Sequence, residues 1–190
     1  MRLKYSIFAA VLAGAATPAV AHTGIHSVSG FAAGFLHPLG GLDHMLAMIG
    51  VGLFAALLGR GALLAVPASF VLMMMAGGAL GMAGVEIPAV EVAIAASVVA
   101  VGSVVAWGWA WPTSAAAMLV GFFALFHGYA HGAELPVGAS GLTYGLGFAL
   151  ASAALHSLGI ILSHMKLGAG KVTRPLGVAV TIAGLVLVVV

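Results

Sequence analysis

Residues 115–134 read AAAMLVGFFALFHGYAHGAE, an apolar run that ends in two histidines and a glutamate. Ala115 to Leu125 contains no charged residue, and with its flanks it approaches the ~20 apolar residues that a helix needs to cross a bilayer core. His127, His131 and Glu134 then follow at i, i+4 and i+7. At ~100° per residue these three share one helix face. An ionisable group within a membrane span is costly, so by default it is read as functional.

Composition points the same way. The chain has 190 residues, of which 63% are hydrophobic and 5% charged, with 28 glycines and a mean hydropathy of +1.25. Soluble domains carry about 25% charged residues, so lipid rather than water is the expected solvent. The net charge of +2 forms no basic patch of the kind that nucleic acid requires. Cysteine is absent, which excludes disulfides, thiolate metal ligands and a Cys nucleophile.

The chain opens as a secretory signal: MRLK is basic, YSIFAAVLAGAA is apolar, and Ala19-Val20-Ala21 forms an A-x-A cleavage site. Residues 1–21 are therefore expected to be a signal peptide and 22–190 a polytopic helical domain. Cleavage after Ala21 would expose His22, whose amino group and imidazole, with His26, would make a metal-capturing arm. Six spans follow, at about 41–59, 62–84, 88–108, 113–132, 141–163 and 173–190. The expected fold is an all-α membrane protein. The four basic residues after the signal are Arg60, Lys166, Lys171 and Arg174. All four fall inside if the mature N-terminus is outside, which predicts N-out and C-out by the positive-inside rule. Trp107, Trp109 and Trp111 cluster at one predicted interface.

A second polar string, HPLGGLDH, covers His37 to His44 and includes the chain's one aspartate, Asp43. Pro38, Gly40 and Gly41 offer a break there, so the apolar residues before it are expected to form an interfacial or re-entrant segment. The predicted topology puts this string and the His127 string at the same outer depth, although it was derived from Lys and Arg alone. His37, Asp43, His44, His127, His131 and Glu134 are therefore expected to serve one site, with the ligand atoms of His37, Asp43, His44, His127 and His131 within ~5 Å of each other. Imidazole nitrogen with carboxylate oxygen suits divalent Ni, Co or Zn. Isolated histidines such as His22, His26 and His164 are more ordinarily polar tips at an interface or helix-pairing donors. Ser152, His156 and His164 lie further along the fifth span and would line a path inward.

The two strings fit H-x5-D-H and F-H-G-x-A-H-G-x-E. Both resemble the signatures of the HupE/UreJ family, and the resemblance extends to the signal peptide and the six spans. It implies a hydrogenase or urease accessory membrane protein that acts as a nickel, sometimes cobalt, permease. The metal is then cargo rather than a permanently bound cofactor. The six residues of the two strings would handle it, and the location would be the bacterial inner membrane. The chain contains no G-x4-G-K-[ST] motif, so transport is expected to be passive or driven by the membrane potential. No enzyme activity is expected. The expected partners are lipid and the metal ion, and homo-oligomer formation is left open.

Two other readings compete. A membrane metal sensor would use the same ligands but would need no polar groups beyond them. GASGLTYG, residues 138–145, resembles the G-x-S-G of rhomboid intramembrane proteases, with His156 as partner to Ser140. On one helix those two residues would lie ~24 Å apart, far beyond the ~3 Å a nucleophile and base require. Ser140 reads better as a helix N-cap.

Overall fold

The computed structural model describes residues 30–135, 140–167 and 170–189. The expected signal peptide and the arm at His22 and His26 lie outside them. Among the described residues there are seven helices: α1 (Gly30–Gly40), α2 (Leu42–Leu58), α3 (Ala62–Met82), α4 (Val90–Trp107), α5 (Thr113–Ala133), α6 (Gly141–His164) and α7 (Thr173–Val189). A two-residue antiparallel pair, β1 (Lys166–Leu167) with β2 (Gly170–Lys171), joins α6 to α7. The fold is all-helical apart from this connector.

Four helices, α3 to α6, are long and apolar enough to cross a membrane. The count becomes five if α1 and α2 form one broken span, and α7 is a shorter apolar helix. The helices are held together largely by glycines that let backbones touch, the usual device where lipid removes the hydrophobic drive for helix pairing. A Cβ at Gly128 would strike the Met74 carbonyl, and one at Gly132 the Gly78 carbonyl, so α5 lies directly against α3. Gly52 and Gly159 bring α2 onto α6 in the same way, and Gly102 and Gly177 bring α4 onto α7.

The region before α2 breaks within the expected stretch. α1 runs through Pro38 to Gly40, so proline does not end it. The break is at Gly41, where the chain bends by 85°. A Cβ at Gly41 would lie 2.6 Å from Asp43 Oδ1 and 3.1 Å from His44 Nδ1. Glycine is needed there to make room for that pair, not for an unusual backbone angle. α1 packs against α6. Gly30 faces Ser140 and Thr143, Gly34 faces Tyr144, and Gly147 faces Phe31. α1 thus descends along the first turns of α6, and α2 continues along its later ones.

The ends of the bundle differ in charge. The connectors after α2 and α6 carry Arg60, Lys166 and Lys171, and they share their end of the bundle with the connector after α4, where Gly61 nears Thr113 and Arg174 reaches over Gly108. Trp111 packs on Phe54 there, while Trp107 and Trp109 pair and remain exposed. Glu86 and Glu134 lie in the connectors at the opposite end.

Candidate metal centre

α1, α2 and α5 bring the two histidine strings together. The ring centroids of His37 and His131 are 4.5 Å apart, those of His44 and His131 4.4 Å, and those of His44 and His127 4.8 Å. Short helix approach makes this possible, because Gly128 and Gly132 let α5 sit close to α3 and aim His127 and His131 into the bundle. His127 and His131 are buried, with exposures of 0% and 5%, while His37 and Glu134 are exposed.

The six expected ligands lie side by side, and three of them have ligand atoms within reach of one ion. His37, His131 and Glu134 each offer a ligand atom, and these atoms lie within 4.8 Å of one another. Among the described residues this is the trio within reach of a single ion. Asp43 instead turns inward to its neighbour: its Oδ1 lies 2.8 Å from His44 Nδ1 and accepts from the His44 backbone N–H at 2.8 Å. His127 Nε2 is engaged by Ser97 Oγ at 2.8 Å. The arrangement is a string running inward from the trio through His44 to His127. A carboxylate orienting an imidazole is the familiar outer-shell partner of metal-binding histidines.

Deeper in the bundle, His156 and Ser152 are buried at 2% and 0% exposure. The Phe70 ring touches both His127 and His156, with centroids 5.8 Å and 5.0 Å away, so it stands between the upper histidines and the lower one. Ser152 donates to the Phe148 carbonyl and lies 3.7 Å from the Met74 sulfur. His164 is exposed at the far end of α6 and bonds back to the Ile160 carbonyl at 2.7 Å. Six nitrogens of these buried rings have no hydrogen-bond partner among the described residues: His44 Nε2, His127 Nδ1, and both nitrogens of His131 and of His156. Buried polar atoms are normally paired, and each one left unpaired costs ~1–3 kcal/mol. Such a set fits a cation's donor groups better than it fits packing. A cavity of about 250 Å3 reaches His131 from the side, lined by Met74, Met82, Tyr144 and Phe148.

Sequence reasoning did not find Ser97 or Phe70. Both sit in apolar runs on α4 and α3 without motif spacing, and no signal beyond a single hydroxyl in AIAASVVA marks the first. The protease reading fails on placement. Ser140 caps α6, accepting from the Thr143 N–H, and His156 lies many turns further along that same helix.

A bundle of apolar helices threaded by a string of buried imidazoles defines a multi-pass membrane protein with an ionisable core. The HupE / UreJ protein family matches residues 10–187, and the chain belongs to that family of metal permeases and accessory proteins, which are not enzymes. The chain is also similar to Protein HupE of Rhizobium leguminosarum bv. viciae, at 46% identity over 191 residues covering 98% of this chain and 100% of that protein. No solved structure gives a significant match.

Proposed function

We propose that this protein is an inner-membrane permease that imports a divalent transition metal, Ni2+ first and Co2+ second, for metalloenzyme maturation. The observation that carries the reading is the His37, His131 and Glu134 trio, within reach of one ion and continuous with a buried string of histidines. The outer end takes the ion from solvent on exposed His37 and Glu134. His44 and His127 continue the donors inward, and His156 offers a weaker site beyond Phe70. Polar groups beyond the outer trio favour a permease over a sensor, since a binder needs no onward route. Conduction requires that each site also release its ion.

The topology that goes with this function has six spans, with α1 and α2 as one broken span, and places both termini outside. The basic connectors after α2 and α6 then face the cytoplasm. A membrane potential acting on a dication supplies ~4.6 kcal/mol per 100 mV inward. The test is metal accumulation by cells expressing the wild type, compared across Ni, Co, Zn and Cu. Nickel should accumulate above the empty-vector level, and uptake of none of the four metals would reject the reading.

A further inference from the structure

We propose that Ser97 is a positioning residue that fixes the tautomer of His127 and so decides which ring nitrogen is left for the ion. Ser97 lies on α4, outside both histidine strings, and is 1% exposed. Its Oγ is 2.6 Å from the Ile94 carbonyl oxygen and 2.8 Å from His127 Nε2. Two oxygens at that separation repel unless a hydrogen lies between them, and a carbonyl has none to give. The single hydroxyl hydrogen of Ser97 therefore points to Ile94. Towards His127 the Ser97 oxygen can only accept, so Nε2 carries the proton. In the neutral ring Nδ1 is then the atom with the lone pair. Nδ1 is buried and has no partner among the described residues.

His44 shows the mirror arrangement. The Asp43 carboxylate accepts from its Nδ1–H at 2.8 Å, which leaves Nε2 with the lone pair, and Nε2 is likewise buried without a partner. The two rings meet at 90° with centroids 4.8 Å apart. One histidine thus presents Nε2 and the other Nδ1, each set by a residue that does not itself hold the ion. The purpose of the lone pairs rests on the permease reading, whereas the tautomer does not.

The experiment is long-range 1H–15N correlation NMR on the full chain in detergent micelles, labelled with 15N-histidine, with His127→Asn assigning the His127 signals. The wild type without metal should show His127 in the Nε2–H form. Ser97→Ala should lose that single form, and Ser97→Thr, which keeps a hydroxyl able to donate to the i−3 carbonyl, should restore it. An Nδ1–H form in the wild type overturns the proposal, and so does a Ser97→Ala spectrum identical to wild type. If Ser97→Ala does not fold, the wild-type spectrum can still overturn the proposal and Ser97→Thr still tests the role of the hydroxyl. Titration with Ni2+ then separates the two readings. Ser97→Ala should bind ~10–100-fold more weakly, the range for outer-shell partners, with Ser97→Thr near wild type. If the tautomer changes but Ni2+ affinity does not, Ser97 positions the ring as proposed, and His127 has no part in holding the metal.

Discussion

His37 on α1 and His131 on α5 meet edge to face, their ring centroids 4.5 Å apart and their planes at 83°. This contact joins the two polar strings, and Glu134 completes a trio around it. The trio is the first group an entering ion would meet, so its loss should be felt as lost capture. His37→Ala and Glu134→Gln should each lower Ni2+ affinity by more than the ~10–100-fold typical of outer-shell changes. Both residues are exposed, so immunoblots of membrane fractions should show unchanged protein. Calorimetry on the purified variants reads the affinity, and wild-type binding by both would remove the trio from the pathway.

Gly41 and Gly40 should behave oppositely although they are adjacent. A Cβ at Gly41 collides with the Asp43 and His44 side chains, whereas nothing lies within 4 Å of one at Gly40. Gly41→Ala should displace the Asp43–His44 pair and reduce uptake at least ~10-fold. Gly40→Ala should change stability by no more than ~0.5 kcal/mol and leave uptake intact. Equal uptake by the two variants would contradict the placement of the break.

The α3–α5 seam predicts a stability effect without a change in chemistry. Gly128→Ala forces a methyl into the Met74 backbone. Overpacking of this kind costs ~1–3 kcal/mol, occasionally more, so thermal unfolding in detergent should shift well down. Gly145→Ala, with nothing within 4 Å, is the control and should melt as wild type does.

Much of this was legible in the sequence because the signals are local or periodic. Charge-free runs place the helices of the bundle, and the i, i+4 spacing puts His127 and His131 on one face. The break before α2 was legible only in outline. Pro38 sits in the last turn of α1 without ending it, and the chain bends at Gly41, where the Asp43 carboxylate and the His44 ring leave no room for a side chain. Of the six expected ligands, three have atoms within reach of one ion, and spacing alone cannot tell a ligand from the residue that orients it. Asp43 turned out to hold His44, and Ser97, the corresponding partner of His127, comes from a helix with no polar motif. Tertiary packing brings Ser97 and Phe70 to the histidines, and no short-range pattern encodes that.

His156 distinguishes conduction from capture. It is buried beyond Phe70, with neither ring nitrogen hydrogen-bonded among the described residues. His156→Ala should lower the maximal uptake rate several-fold while the half-saturating Ni2+ concentration stays near wild type. Initial-rate uptake across a range of Ni2+ concentrations separates the two parameters. A change confined to half-saturation would assign His156 to capture instead.

The central claim is that the ion passes through the protein by way of the trio. Purified protein in sealed liposomes, with an inside-negative potential and a trapped Ni2+-sensitive dye, tests it without other cell components. Wild-type vesicles should fill with Ni2+, and vesicles with Glu134→Gln or His37→Ala should stay near the protein-free level. Wild-type protein that binds Ni2+ but leaves the vesicle interior dark would contradict the account, showing a membrane metal-binding protein that does not transport.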